Sequence, residues 1–73
     1  MSSSLHAVAA RRAVGERIRA ARLHTNCTQE ALAEAADLDR QAISHIEQGH
    51  ASPVLDTLIC IADALNVPLR DLV

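Results

Sequence analysis

Cys27, Cys60, His24 and His50 are the residues whose types could hold a metal ion or pair a nucleophile with a base. Structural zinc sites are commonly built on tight Cys-x-x-Cys pairs, and the spacings of these four residues include no such pair. A Cys–His pair for nucleophilic catalysis has no local signature here, and so short a chain offers little room for a substrate pocket. The two cysteines could form one bridge at most. No apolar leader precedes a cleavage site, so a reducing compartment and two buried free thiols are expected. No catalytic residue, metal or cofactor is therefore expected.

Arginine is the other chemically informative residue. The chain has no lysine, and five of its seven arginines lie between Arg11 and Arg22. With Glu16, residues 1–22 carry five positive charges and one negative, a net of +4. Residues 23–73 carry two arginines and eight acids, a net of −6, so the overall −2 conceals one positive end. Contact with phosphate depends on that local field and not on the total.

These side chains must be positioned by a very small fold. At 73 residues, folding buries only about 60% of the unfolded chain's surface, and one domain (1–73) is the limit. Apolar residues at 49% and charged residues at 22% are ordinary globular values, which argues against disorder. Phe, Tyr and Trp are all absent. A sheet protein or a base-stacking platform for single strands would be odd without them. No apolar run approaches the ~20 residues of a membrane span. A soluble, cytoplasmic, all-α domain is expected.

Met1–Ser4 has little to pack and is expected to fray. Leu5 to His24 reads as a helix with Val14, Ile18 and Ala21 on one apolar stripe. Gly15 in that stripe implies close approach of another helix. Asn26 suits a left-handed helix end. Thr28 caps a second helix, from Gln29 to about Ala36, with Cys27 and Leu32 placed as a hydrophobic staple. Asp37 and Leu38 form a turn, Asp39 caps a third helix from Arg40 to Gln48, and Gly49 ends it. Ser52 and Pro53 are expected to open a fourth helix from Pro53 to Leu65, closed by Asn66. A last short turn of helix spans Pro68 to Val73, making five helices.

Thr28 to Gly49, TQEALAEAADLDRQAISHIEQG, is the informative unit. Two helices of about eight residues joined by so short a turn must cross steeply over small residues such as Ala33 and Ala36. That is the pattern of a helix-turn-helix. From Val14 to Val73 the chain resembles the Cro/C1-type (Xre) helix-turn-helix regulators of phages and bacteria. The resemblance is carried by VGERIRAAR, by the unit just quoted, by the Ser-Pro before the fourth helix, and by LICIADALNVPLRDLV. One departure is Asp37, where the turn usually holds glycine; aspartate tolerates the left-handed region better than most residues.

The resemblance implies an all-α, five-helix, lambda-repressor-like domain whose third helix enters the major groove of double-stranded DNA. It places Arg40, Gln41, Ser44 and His45 at the bases, Arg40 suited to guanine O6 and N7 and Gln41 to adenine N6 and N7. Gln29 would contact phosphate at a helix N-terminus, with Asn26, Thr28 and His50 beside it. Apart from the resemblance, the charge run of the first helix (Arg11, Arg12, Arg17 and Arg19) is either a solvated face or the source of a further phosphate contact, for which Arg17 is named. Arg22 and Glu47 occupy the positions of an ion pair joining the first helix to the end of the third.

The fourth helix has more apolar surface than one core stripe uses. Leu58, Ile61, Ala62 and Leu65 should face inward, leaving Leu55, Ile59 and Cys60 pointing elsewhere. The family pairs through this region (54–73), so Leu55, Ile59, Val67, Leu69 and Leu72 are expected at a homodimer interface. The expected function is transcription regulation at a near-palindromic operator, with RNA polymerase as a further partner. No ligand-sensing segment is expected after the last helix, and hence no small-molecule ligand. A restriction–modification controller is the favoured subtype. A phage Cro or repressor-type regulator, or an antitoxin-like protein-binding module on the same scaffold, are the alternatives.

Overall fold

A computed structural model describes residues 5–73, and the expectation for Met1–Ser4 lies outside them. Four α-helices follow in order: α1 (Leu5–His24), α2 (Gln29–Ala35), α3 (Arg40–Glu47) and α4 (Leu55–Leu65). No strand occurs among the described residues. The fifth helix expected from the sequence is a three-residue 3-10 turn, η1 (Leu69–Asp71). Pro68 is extended before it, and Asp71 and Leu72 donate N–H bonds to Pro68 and Leu69 at 3.0 and 2.9 Å. Swinging Leu72 into the core demands this tighter winding of three residues per turn.

Local chemistry sets most of the other boundaries. The Thr28 hydroxyl accepts from the Ala31 N–H and the Asp39 carboxylate from the Ala42 N–H, both at 3.0 Å. Each relieves one of the unpaired amides at a helix start. The four helices also share one ending. Asn26, Asp37, Gly49 and Asn66 all adopt positive φ, between 56° and 77°. In each case the next residue's N–H reaches back to a carbonyl in the last turn: Cys27 to Arg22, Leu38 to Ala33, His50 to His45, Val67 to Ala62. Only one of the four is glycine. Asn and Asp serve because they enter the left-handed region at the lowest cost among residues with a β-carbon.

The start of α4 differs from the expectation. It begins at Leu55, with Val54 in the cap position and no side-chain cap bond, and not at Pro53 behind a Ser52 cap. Ser52 and Pro53 line a shallow depression with Ala10, Arg11, Val14 and Leu58. Packing of this loop against α1 therefore takes precedence over the cap signal.

Ile18, Leu32, Ile43, Ile61 and Leu72 are fully buried, one from each of the four helices and one from the end of η1. Burying such a side chain stabilises the fold by about 1.5–3 kcal/mol. Ala33, Ala36 and Ala62 fill the crossings between them, where larger residues would hold the helices apart. With no aromatic available, branched aliphatics and small residues make the whole core.

Gly15 faces the end of α3. A β-carbon there would collide with the Ile46 carbonyl oxygen and stand 2.7 Å from that of Glu47. On helix propensity alone Gly15→Ala should gain about 1 kcal/mol. Because the obstacle is backbone, the expected outcome is a net loss on the order of 1–3 kcal/mol. Urea unfolding would show it as a lower midpoint at constant slope. A raised midpoint would mean that α1 and α3 part easily.

Candidate nucleic-acid interface

The close approach at Gly15 brings two charged side chains together inside the protein. The Arg22 guanidinium donates from Nε to Glu47 Oε2 at 2.7 Å and from Nη2 to Oε1 at 3.0 Å. Its remaining terminal nitrogen donates to the Cys27 carbonyl at 2.9 Å, and Gln29 Nε2 donates to Glu47 Oε1 at 3.2 Å. Arg22 and Glu47 are the only charged residues buried among those described. The hydrogen bonds to Glu47 raise the proton affinity of Arg22 above that of an ordinary arginine, against the opposing effect of burial. One planar fork thus joins α1, the turn before α2, the first residue of α2 and the last residue of α3.

This clamp fixes how α3 is displayed. Ile43, Ile46 and Glu47 face inward, while Arg40, Gln41 and His45 are exposed and Ser44 is half-buried at their side. At about 100° per residue the four polar positions share one face. Gln48, just past the helix, lies on it too, its side chain donating to Ser44 Oγ at 3.2 Å. The sequence reading missed Gln48 as a site residue, although its spacing from Gln41 and Ser44, seven and four residues, was a usable signal.

Beside α3, Arg22, Thr28, Gln29, Glu30 and Arg40 line an open groove. Two of the residues expected at phosphate, Thr28 and Gln29, are therefore next to Arg40. Asn26 is exposed in the turn before α2, and His50 is exposed just beyond α3. Arg17 is exposed and stands two residues from Gly15, about 200° around the helix, on the side of α1 away from α3.

The fold corrects one expected interface residue, Leu72. It is completely buried in the core of the single chain and has no surface to give to an interface. Leu55 and Ile59 are 60% and 39% exposed, one turn apart on α4. Val67 and Leu69 are half-buried at the edge of the core. Both cysteines are free, as expected, but Cys60 is exposed and Cys27 half-buried. Cys60 follows the outward face of α4, in line with its helical position and against the expectation of two buried thiols. Among the described residues no three His, Cys, Asp or Glu side chains gather as a metal site would require. None of the described helices is long and apolar enough to cross a membrane.

Known proteins resemble this chain in sequence and in fold. The helix-turn-helix family matches residues 18–72. An immunity repressor protein of Bacillus phage phi105 is 40% identical over 60 residues, covering 82% of this chain. The chain spans only 42% of that repressor's length. Among solved structures, the restriction–modification controller protein C.AhdI from Aeromonas hydrophila is 31% identical with a TM-score of 0.87. The match covers 89% of this chain and 98% of the controller. The clp gene regulator ClgR from Corynebacterium glutamicum is 27% identical with a TM-score of 0.84, over 86% of this chain and 67% of its own.

The chain belongs to the Xre-type helix-turn-helix family of DNA-binding transcription regulators.

Arg22→Ala would leave Glu47 desolvated and the Cys27 carbonyl short of a donor. A loss of about 3–5 kcal/mol is expected for breaking a buried pair from one side. Arg22→Lys should recover little of it, because an ammonium cannot span both carboxylate oxygens in one plane. Thermal melts of the two variants beside the parent measure both effects. Parent-like melting of Arg22→Ala would place the pair outside the stabilising structure.

Proposed function

We propose that this protein is a sequence-specific transcription regulator that binds a near-palindromic operator as a homodimer, with α3 of each copy in the major groove. The carrying observation is the outward polar face of α3, which begins with adjacent Arg40 and Gln41 and is held rigid from behind by Arg22 and Glu47. Arg40 is suited to guanine and Gln41 to adenine, each as a bidentate partner. Ser44 and His45 lie one turn further along. Asn26, Thr28, Gln29 and His50 flank this face and contact phosphate, which sets the register without reading sequence.

Pairing runs through α4. Leu55 and Ile59 form an exposed apolar strip, with Val67 and Leu69 at its margin. A two-fold axis there would set the two α3 helices about 34 Å apart, one turn of DNA. The similarity to the controller over nearly all of that protein's length supports a controller of restriction and modification genes. A phage-type repressor is the second reading, supported by the 40% identity to the phi105 protein. In either case occupancy near a promoter governs the access of RNA polymerase.

Two substitutions test this reading. Arg40→Ala should cost about 1–3 kcal/mol on the preferred duplex and relax preference at one base position per half-site. Equal losses on preferred and random duplexes would reduce Arg40 to a phosphate contact. Ile59→Asp places an unpaired carboxylate in the proposed seam. It should shift sedimentation toward monomer and weaken binding to two half-sites far more than to one. A variant that sediments and binds like the parent would put the seam elsewhere.

A further inference from the structure

The four arginines of α1 that do not enter the clamp are not equivalent. The side chains of Arg11, Arg12, Arg17 and Arg19 make no hydrogen bond or ion pair among the described residues. Their placement around α1 separates them. Arg11 borders the depression that also includes Ser52, Pro53 and Leu58, on the α4 side. Arg17 faces away from α3, as noted above. Arg12 is packed against the turn that ends α3: a β-carbon on Gly49 would lie 2.8 Å from Arg12 Cγ and 3.1 Å from its Cα. Gly49 directly follows Gln48, the last polar residue of the displayed face.

The side chain of Arg12 therefore starts at the C-terminal edge of the α3 face, and the residue is exposed to solvent. Glu16, one turn along, makes no ion pair with it. Arg19, seven residues on, lies on the same flank of α1 and adds to the positive field. An α3 of eight residues is about 12 Å long, roughly the width of the major groove. With the Arg40 end at the bases, a group just past the other end meets the groove wall, which is phosphate.

We propose that Arg12 is an additional DNA-backbone contact, made from α1 across the end of the recognition helix. Glycine at position 49 is what lets α1 come close enough to deliver it. The assignment rests on the DNA-binding reading above. It also lies outside the family match, which begins at residue 18. Arg12 reads no base; it adds affinity that is independent of sequence and sensitive to salt.

The test is the salt dependence of binding to a random-sequence duplex longer than two helical turns, for the parent, Arg12→Gln, Arg17→Gln and Arg70→Gln. Each lost phosphate contact makes the slope of log affinity against log salt shallower by about 0.9. Arg12→Gln should show that change for every bound protomer, with the base preference of the selected site kept. Arg70→Gln, which removes a charge from η1, should leave the slope unchanged. An unchanged slope for Arg12→Gln, or a shallower one for Arg17→Gln alone, overturns the assignment. Failure of the parent itself to retain any duplex at low salt would instead overturn the DNA-binding reading on which it stands.

Discussion

The bidentate pair between Arg22 and Glu47 is the constraint from which the other functional geometry follows. Removing two charges from water costs several kcal/mol per ion, and the attraction between them only partly offsets this. The pair is therefore poorly explained as a source of stability alone. What it supplies is direction. A planar guanidinium that satisfies both carboxylate oxygens, while also donating to the Cys27 carbonyl, fits one orientation of α3 relative to α1. Gln29 donating to the same carboxylate ties α2 into that orientation. Gly15 makes the arrangement sterically possible by removing the one side chain that would stand between the backbones.

Charge placement follows the same geometry. A chain with net charge −2 is an unpromising binder of a polyanion if only the total is considered. The fold instead sorts its arginines by address. Arg22 is spent inside the clamp, Arg40 opens the displayed face, and Arg12 sits where that face ends. Each helix end is turned by a single left-handed residue, which fixes where the next segment starts. A protein with no aromatic residue thereby holds a defined polar face on α3 by helix crossings and one buried ion pair.

Much of this was legible in the residues. Thr28 and Asp39 announce helix starts because their side chains can accept the first free amides, and Asn26, Asp37 and Gly49 announce ends because they tolerate positive φ. These are local rules acting over three or four residues. Where the reading failed, a distant neighbour decided the outcome. Ser52 and Pro53 have the chemistry of a helix start, yet they pack as a loop against α1 and the helix begins at Leu55. Leu72 and Ile59 are similar in hydrophobicity; the path of the chain after Asn66 sends Leu72 inward, whereas the turn of α4 leaves Ile59 exposed. Arg17 has the same charge as its neighbours, and the turn of the helix puts it on the side of α1 away from Gly15. Periodicity shows which residues share a face, and it does not show what that face meets.

The central claim is that α3 is a DNA reading head presented in pairs. Selection of bound duplexes from a fully random pool tests it most directly, because it presupposes neither an operator nor a target gene. The account predicts enrichment of a near-palindrome whose half-site centres are about one helical turn apart. Each half-site should carry a guanine and an adenine preference within the span that one α3 can reach. Recovery of sequences no different from the starting pool, or of one unpaired site without symmetry, would contradict it.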